Sequence, residues 1–541
     1  MASLLGSIDR VASERSGTVA VTQHLGRDAA RSISAGELRA RSERVARHLM
    51  ARGVRPGDFV GVYMRRSVDH VTALVGIMRA GAVFYSMHHG LRLPQIRHNC
   101  ERTLSTLILT DVHGLLSFAG QPEDAALNGL FTLFSTEPVR PFEETALVPV
   151  MQAYSVRQLM PGANLTGQAP ADGPPPTVVG QDAAFVLFTS GSTGNPKGVV
   201  IAHQDLANRV VTESADYGIV PDDRLLSLLP FSFDVGCNQL FTALASGAEL
   251  VILNSWLPRD IATVVAKYGI TGISAVPAIW AGVLECATNR EIAAAIDRVR
   301  YITISGGDMA PSQLSALREL LPSVQIFKTY GQTETFRSSM LKPVDFSRKM
   351  GSVGRPISGT DVIVVDRKGQ PAPPGARGQI VHRGDGVMLG YLGDKKATRA
   401  VLRPNPLQSL ASPFRQRAVF TGDTGYFDAD GYLYLMGRSD KMIKTSGYRV
   451  YPREVSDHIL RHPAVKDAVV FGVKHPTLGN ALHCEIELKE GFSLTPSEMT
   501  AFLADKLPSY MIPVRIEYVT AFPRTPSGKI RLSEVERKYH G

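Results

Sequence analysis

The sequence is poor in cysteine, tryptophan and long apolar runs. Its 541 residues include 4 Cys and 2 Trp, and 7% of them are aromatic. The cysteines form no C-x-x-C pair, so we expect neither a disulfide framework nor a cysteine zinc site, and this usage is typical of a reducing compartment. The N-terminal apolar run is too short for a signal peptide, and the best candidate for a membrane span, residues 71–87, contains Arg79. We therefore expect a soluble cytoplasmic protein that does not cross a membrane.

Charge of one sign is not concentrated in any segment. There are 59 Lys and Arg against 50 Asp and Glu, a formal net charge of +9. Basic residues do not alternate with aromatic ones as they do in a nucleic-acid groove, so we do not expect nucleic acid as a partner. A mild positive field favours acidic ligands such as nucleotides, or an acidic partner protein.

The order of apolar and helical stretches predicts the fold class. Short apolar runs alternate with helical stretches through the first 150 residues and again up to Ile302, which predicts an α/β domain of mixed sheets covered by helices. Residues 161–176 are rich in proline and glycine and predict a loop. Residues 351–393 are strand-like and punctuated by glycine and proline, which predicts a small β unit.

The last hundred residues predict a small α+β domain. Residues 481–489 alternate apolar and polar side chains, which indicates a strand whose second face, with Glu485 and Glu487, is in water. A capping box at residues 495–498 predicts the start of a helix, and residues 514–519 predict another strand. We expect a large domain over residues 1–439 and a small one over residues 440–541.

A loop rich in glycine and hydroxyl groups, FTSGSTGNPKG (188–198), follows the apolar run AAFVLF. Glycines allow tight turns whose N–H groups point inward, hydroxyls add donors and a lysine adds positive charge, so the segment favours phosphate binding. It is not a Walker A motif, because no G-K-[ST] occurs. The candidate phosphate-binding residues are Thr189, Ser190, Gly191, Ser192, Thr193, Gly194 and Lys197.

This loop and seven further motifs, in order, resemble the adenylate-forming superfamily of acyl-CoA synthetases, luciferases and peptide-synthetase adenylation domains. The further motifs are IMRAGAVFY (77–85), TYGQTE (329–334), GDGVMLGYL (384–392), TGD (421–423), GRSDKMIKTSGYRV (437–450), LPSYMIP (507–513) and PSGKIR (526–531). The resemblance covers the chain from about residue 77 to its C-terminus. It implies that a carboxylate attacks the α-phosphate of ATP in the presence of Mg²⁺, that pyrophosphate leaves, and that a thiol captures the acyl-adenylate.

The resemblance also implies roles for single residues. Lys529 matches the catalytic lysine that bridges the substrate carboxylate and the α-phosphate. Thr333 matches the α-phosphate contact and Glu334 the magnesium-binding acid. The charge that develops in such a transition state requires a cation, a metal and aligned donors.

The resemblance further implies the nucleotide-binding residues and the hinge between the two domains. The implied nucleotide-binding residues are Gly306, Gly307, Asp308, Tyr330 (stacked on adenine), Asp423 (on the ribose hydroxyls) and Arg438 (near the ribose). Asp440 matches the hinge between the domains. Rotation of the small domain about this hinge would remove Lys529 from the active site and bring the loop around Gly447 to the acyl-adenylate for the thioester step.

Two charged residues in the implied acid pocket bear on the substrate. Asp234 matches the aspartate that holds the substrate ammonium in amino-acid-adenylating domains, although an aspartate here can also cap a helix. Arg337 in a closed pocket needs an anion, which is either a second substrate carboxylate or an internal acid. By the same resemblance, Ser305, Thr329 and Asn238 belong to this pocket.

Asp234 and Arg337 together indicate an amino dicarboxylic acid such as aspartate or 3-methylaspartate. The combination is similar to the stand-alone enzymes that adenylate β-amino acids for macrolactam polyketides, an antibiotic pathway. In the 3-methylaspartate-activating members a serine and an arginine, here Ser305 and Arg337, hold the carboxylate that does not react.

The acyl acceptor is expected to be a separate molecule. The chain ends twelve residues after Lys529, which leaves no room for a carrier domain, so we expect the phosphopantetheine thiol of a discrete acyl carrier protein. Residues 441–541 contain 15 Lys and Arg and 11 Asp and Glu, a net charge of +4 that favours an acidic carrier. The alternatives are an acyl-CoA ligase acting on an organic acid, a stand-alone enzyme activating an α-amino acid, and a nucleotide-binding module without catalysis.

Overall fold

A computed structural model describes most of the chain. The described residues are 3–26, 29–119, 124–134, 141–159, 176–189, 196–286, 289–307, 309, 311–408, 411, 416–438, 443–445, 448–475, 479–504, 506–507, 509–526 and 528–539. The α-helices are α1 Leu4–Glu14, α2 Ala35–Ala51, α3 Val68–Arg79, α4 Leu93–Thr103, α5 Val112–Leu116, α6 Pro141–Ala153, α7 His203–Tyr217, α8 Asp234–Ser246, α9 Pro258–Tyr268, α10 Pro277–Glu285, α11 Arg290–Ile296, α12 Pro311–Leu320, α13 Pro343–Phe346, α14 Lys395–Val401, α15 Pro452–Ile459, α16 Pro496–Ala504 and α17 Leu532–Arg537.

The strands follow the same numbering in chain order. They are β1 Val19–His24, β2 Ala30–Ser34, β3 Phe59–Tyr63, β4 Val83–Met87, β5 Ile108–Thr110, β6 Phe131–Phe134, β7 Arg157–Leu159, β8 Ala183–Thr189, β9 Lys197–Ala202, β10 Arg224–Ser227, β11 Glu249–Ile252, β12 Gly272–Ala275, β13 Tyr301–Ile304, β14 Gln325–Tyr330, β15 Ser339–Leu341, β16 Arg355–Pro356, β17 Thr360–Val365, β18 Gly378–Gly384, β19 Gly390–Tyr391, β20 Leu402–Pro404, β21 Arg417–Phe427, β22 Leu433–Arg438, β23 Ile443–Thr445, β24 Tyr448–Val450, β25 Val465–His475, β26 Gly479–Leu488 and β27 Arg515–Val519.

Two large mixed sheets, covered by helices, form most of the molecule. Over the described residues the first has the strand order β16-β15-β14-β13-β12-β10-β11-β1-β2 and the second β19-β9-β8-β4-β3-β5-β6-β7. Most neighbours in both sheets are parallel. Parallel strands are buried on both faces and read as unbroken apolar runs, and all residues of β4 and β13 are buried. The expected α/β domain of mixed sheets is confirmed.

The predicted small β unit and C-terminal domain are also present. Strands β17, β18, β20, β21 and β22 form an antiparallel sheet. Strands β17 and β18 lie in the predicted range of residues 351–393, and the other three extend the unit to Arg438. Strands β23 to β27 form a separate sheet with its own apolar core. The capping box is confirmed, because Glu498 N–H donates to Thr495 Oγ1 at 3.3 Å and Thr495 N–H donates to Glu498 Oε2 at 2.8 Å.

The solvent-facing side predicted for residues 481–489 is wrong. Glu485 and Glu487 are 1% and 5% exposed, because the end of the chain covers that face of β26. Tyr539 Oη donates to Glu485 Oε1 at 2.8 Å, and Lys538 lies 3.0 Å from the same oxygen. Lys466 pairs with Glu487 at 3.2 Å. The acids are therefore buried with partners, which removes most of the cost of desolvation.

The predicted proline-rich loop over residues 161–176 lies outside the described residues except for residue 176. The same holds for residues 439–442, so the predicted domain boundary stays a prediction. Among the described helices, not one combines the length and apolarity needed to cross a bilayer.

Candidate active site

Two of the predicted pocket residues, Ser305 and Thr329, meet at one edge of the first sheet. Ser305 directly follows β13, and Thr329 lies near the end of the neighbouring parallel strand β14. Their hydroxyl oxygens are 2.7 Å apart. Ligands of open parallel sheets bind outside the carboxyl ends of the strands, so this edge is the place where a substrate is expected.

A tight turn brings Phe233 to the same edge. Gly306 has φ +75°, which disfavours a side chain, and a Cβ added there would lie 2.8 Å from Cζ of Phe233. A Cβ added at Gly307 would lie 3.1 Å from the ring of Pro277. The glycine at 306 therefore lets Phe233 approach the backbone closely, and the expected approach of the nucleotide to this turn stays a prediction. Asp308 lies outside the described residues.

The predicted ribose and adenine residues lie together. Tyr330 Oη donates to Asp423 Oδ2 at 2.7 Å, and Arg438 Nη1 is 4.0 Å from Asp423 Oδ1. Gln332 also donates to Asp423 Oδ2, at 2.7 Å. Burial raises the pKa of Tyr330, and the charge of Asp423 raises it further. Sequence reasoning gave Gln332 no role, although it lies inside the TYGQTE motif.

Asp234 is a buried acid at the N-terminus of α8. It is the first residue of the helix, and Phe233 occupies the cap position, so Asp234 is not the N-cap. Its Oδ1 accepts from Val235 N–H at 2.8 Å, and its Oδ2 accepts from Thr333 Oγ1 at 3.2 Å. Burial raises the pKa of Asp234, while the nearby Lys529 opposes the shift. The carboxylate therefore lies between the helix and the TYGQTE loop, close to the catalytic-lysine candidate.

Arg337 is paired with an internal acid. Its Nη1 lies 2.9 Å from Glu213 Oε1, and the same nitrogen donates to Tyr217 Oη. The side chains of Arg337 and Glu213 are 6% and 5% exposed. Within the described residues both polar contacts of the guanidinium use Nη1, which leaves the Nε and Nη2 edge for another acceptor. Glu213 is thus the internal acid, and it occupies one nitrogen of the Arg337 guanidinium.

Asn238 and Arg209 extend this buried charged cluster. Burial raises the pKa of Glu213, while Arg337, Arg209 and a hydrogen bond from Asn238 oppose the shift. Asn238 is 2% exposed and its Oδ1 has no partner among the described residues. Arg209 is fully buried, with Nε and Nη1 also without hydrogen-bond partners there. A pocket with such unmet polar groups suits a polar ligand.

The loop that carries Lys529 is docked against the large domain. Gly528 is buried with φ +82°, and a Cβ added there would lie 3.0 Å from Cβ of Ala278. Lys529 Nζ lies 5.6 Å from the centroid of the Phe233 ring. The predicted catalytic lysine and the predicted acid pocket therefore meet, which their separation in the sequence did not require.

Glu334 fits the expected magnesium ligand. Its Oε1 accepts from Tyr391 Oη at 2.7 Å. Within the part of the chain that the structure describes, its Oε2 accepts no hydrogen bond, and a carboxylate oxygen is a ligand that Mg²⁺ prefers. Lys197 begins β9, and its Nζ is 5.2 Å from the centroid of the Tyr391 ring.

Part of the phosphate-binding prediction cannot be placed. Thr189 ends β8, and its Oγ1 is 3.4 Å from the backbone oxygen of Lys197. The other predicted members of the loop, and the predicted hinge and thioester-step residues, lie outside the described residues: Ser190, Gly191, Ser192, Thr193, Gly194, Asp440 and Gly447.

A cavity of about 500 Å³ opens beside the pocket, between the domains. Ser232 and Trp256 of the large domain and Pro526 of the small domain contribute to its wall. Arg65 and Arg66 make the wall partly basic, and His88 and His89 also line it. Burial lowers the pKa of His88 to about 4, with His89 adding to the shift, so that ring is neutral at physiological pH.

Two family profiles match the chain. Residues 8–392 match the AMP-binding enzyme family, and residues 454–529 match the AMP-binding enzyme C-terminal domain. The chain therefore belongs to the AMP-binding enzyme family. Its members are AMP-forming ligases that use ATP with Mg²⁺.

Curated relatives include both free-standing ligases and peptide synthetases. Sulfoacetate–CoA ligase of Cupriavidus necator is 28% identical over 93% of this chain and 92% of its own length. Bacitracin synthase 3 of Bacillus licheniformis is 27% identical over 92% of this chain, which spans 7% of that much longer protein.

The structure has the same fold as solved family members. o-Succinylbenzoate CoA synthetase from Bacillus subtilis, in complex with an acyl-adenylate intermediate, aligns with a TM-score of 0.79 at 25% identity, over 98% of this chain and 97% of that one. The expected fold class is confirmed by this likeness as well.

Proposed function

We propose that this protein is an AMP-forming ligase for an amino dicarboxylic acid, aspartate or 3-methylaspartate, and that it loads the aminoacyl group onto a discrete acyl carrier protein in polyketide biosynthesis. The observation that carries the substrate assignment is a pair of buried opposite charges at one loop: Asp234 accepts from Thr333 Oγ1 at 3.2 Å, and Arg337 follows four residues after Thr333.

The proposed reaction joins the substrate carboxylate to AMP, and each group of the site has one part in it. A carboxylate oxygen of the substrate forms a bond to the α-phosphorus of ATP, and the bond to the bridging oxygen breaks, so pyrophosphate leaves. Lys529 would neutralise charge on the carboxylate and the α-phosphate, where a positioned cation contributes most. Bound through Glu334, Mg²⁺ would neutralise phosphate charge. Tyr330, Gln332 and Asp423 would hold the nucleoside.

Asp234 supports an amine on the substrate. A carboxylate that is 9% exposed and receives two hydrogen bonds has room for a charge-assisted hydrogen bond from an ammonium. A substrate acid that lacks an amine would bring its negative charge near the Asp234 carboxylate without a positive group to compensate it. The alternative acyl-CoA ligase for a simple organic acid therefore has no evident use for Asp234.

Arg337 supports a second carboxylate. Glu213 balances its charge, and the Nε and Nη2 edge offers the parallel donors that a carboxylate accepts. Ser305 directly follows β13. Asn238 Oδ1 has no hydrogen-bond partner in the part of the chain that the structure describes, and it can accept from the substrate ammonium.

The cavity beside the pocket supports a long thiol arm. It adjoins Ser232 next to Phe233, and Arg65 on its wall suits the phosphate of phosphopantetheine. Coenzyme A carries the same arm and is the alternative acceptor. The small domain's net charge favours the acidic carrier.

Pyrophosphate exchange in two variants tests the substrate assignment. With aspartate, Asp234→Ala should lose most of the activity, because a charge-assisted bond to the ammonium is removed. With succinate, which lacks the amine, the same variant should be no slower than the wild type. Asp222→Ala, at an acid 88% exposed, is the matched control and should behave as wild type with both acids. Equal loss with both acids would contradict the role of Asp234.

A loading assay separates the two acceptors. The enzyme, ATP and aspartate are mixed with either a phosphopantetheinylated acyl carrier protein or coenzyme A, and the thioester is detected by mass. Thioester on the carrier alone would support the proposal, and thioester on coenzyme A alone would make an acyl-CoA ligase the correct description.

A further inference from the structure

Tyr391 lies between two residues of the proposed adenylation site. It belongs to the short strand β19, which pairs with β9 so that Tyr391 is opposite Val199. Strand β9 begins at Lys197, the lysine of the phosphate-binding candidates. The motif GDGVMLGYL, which contains Tyr391, otherwise has no assigned role in the site.

Each end of the Tyr391 side chain contacts one of these residues. The hydroxyl donates to Glu334 Oε1 at 2.7 Å. The face of the ring lies under the Lys197 ammonium, with 5.2 Å from Nζ to the ring centroid, within the range of a cation–π contact. One residue thus contacts the expected metal ligand and the expected phosphate-binding cation.

The backbone of Tyr391 is fixed on both sides. Its N–H donates to Thr398 Oγ1 at 2.9 Å. Leu389 N–H donates to Val200 O at 2.9 Å, and Leu392 N–H donates to Gly198 O at 2.8 Å. The strand pairing therefore sets the place from which the Tyr391 ring projects, and the longer, more flexible side chains of Glu334 and Lys197 contact the ring there. Lysine and glutamate lose much rotamer freedom when they are ordered, so a fixed partner lowers that cost before ATP arrives.

We infer that Tyr391 is a positioning residue for adenylation, whose hydroxyl orients the Glu334 carboxylate and whose ring holds the Lys197 ammonium. The inference rests on the proposed use of ATP with Mg²⁺, but not on which acid is activated. The two contacts have separate consequences, because the hydroxyl acts on the expected metal ligand and the ring acts on the phosphate-binding cation.

Calorimetric titration of ATP, without any acid, tests both contacts on the full chain. In Tyr391→Phe the Kd for ATP in the presence of Mg²⁺ should rise about 10-fold, the size of effect seen when a partner of a metal-ligating carboxylate is removed. The Kd for ATP in EDTA should stay at the wild-type value, since the ring remains. Tyr391→Leu should weaken binding under both conditions.

Tyr426→Phe is the matched control, because Tyr426 stacks on Tyr434 with centroids 5.1 Å apart and contacts neither Glu334 nor Lys197. It should bind ATP as the wild type does. Wild-type affinity of Tyr391→Phe for ATP with Mg²⁺ would overturn the role of the hydroxyl. Equal affinities of Tyr391→Leu and Tyr391→Phe in EDTA would overturn the role of the ring. A wrong acid assignment would change none of these results, because no acid is present.

Discussion

Glu213 and Arg337 form an ion pair of 2.9 Å in which both side chains are almost fully buried. The pair lies in the predicted acid pocket and holds the guanidinium by one nitrogen. Breaking such a pair is costly because the remaining charge is buried without compensation. Glu213 thus both neutralises Arg337 and fixes the direction of its remaining donors.

Glu213→Gln should lower the free energy of unfolding by about 3 kcal/mol, the lower end for a broken buried pair, since the amide can still accept a hydrogen bond. Aspartate would then supply the missing negative charge. We therefore expect saturating aspartate to raise the melting temperature of this variant more than that of the wild type. A thermal-shift assay that finds the same increment in both proteins would argue against a carboxylate site at Arg337.

The double variant Arg337→Met with Glu213→Gln removes both charges and avoids leaving either one buried alone. We expect kcat/KM for aspartate to fall by about 100-fold or more, as for loss of a buried charged contact. With β-alanine, which lacks the second carboxylate, it should change by less than about 5-fold. Steady-state pyrophosphate release measures both, and an unchanged ratio between the two acids would make the pair purely structural.

Asp205 makes a pH dependence of stability predictable. Burial raises its pKa to about 6 from an ordinary value of 3.8, the hydrogen bond from Gly386 N–H opposes this, and Asp385 adds to it. Between pH 3.8 and 6 the folded protein keeps a proton that the unfolded chain has lost, so this group's contribution to stability falls as the pH rises through that window. Above pH 6 the loss is complete.

Asp205→Asn keeps an acceptor for Gly386 and removes the titration. The melting temperature of the variant should equal that of the wild type near pH 4 and exceed it at pH 8. Asp222→Asn, at an exposed acid, is the control, and its melting temperature relative to the wild type should be the same at both pH values. A variant less stable than the wild type at pH 8 would mean that the charge of Asp205 is favourable in the fold.

Gly528→Ala tests the docking of the lysine loop. The substitution places a Cβ 3.0 Å from Ala278 in a residue with φ +82°. Gly491→Ala has the same backbone cost at φ +80°, but its Cβ would meet nothing within 4 Å. We expect similar losses of melting temperature in the two variants and a fall in pyrophosphate exchange, by about 10-fold, only in Gly528→Ala. Equal exchange rates would show that this contact is not needed for adenylation.

Local signals in the sequence predicted most of the architecture. Strands such as β4 and β13 are mostly apolar and wholly buried, because parallel sheets are covered on both faces. The capping box at Thr495 and Glu498 is complete within four residues, so it needs no tertiary context. Strand β26 shows the limit of such signals, because alternation cannot reveal that Tyr539, 54 residues after Glu485, covers its polar face.

The site was predictable only where a motif marked it. Arg337 stands out because it is a charged residue three positions after the TYGQTE motif, and Asp234 because it matches an aspartate of amino-acid-adenylating domains. Glu213 lies within the ordinary helix α7, whose sequence carries no signal that its acid is buried against Arg337. Tyr391 is inside a motif, but its contact with Glu334 joins residues 57 apart in the sequence and depends on how β19 pairs with β9.

The most direct test of the whole account is pyrophosphate exchange by the wild-type enzyme with aspartate, β-alanine and succinate. Aspartate has the amine and both carboxylates, β-alanine lacks one carboxylate and succinate lacks the amine. We expect exchange with aspartate at least about 100-fold faster, in kcat/KM, than with either of the others, because loss of the amine leaves the Asp234 carboxylate without a cation and loss of the second carboxylate leaves the remaining donors of Arg337 without an acceptor. Exchange with succinate as fast as with aspartate would contradict the central claim, since Asp234 would then recognise nothing on the substrate.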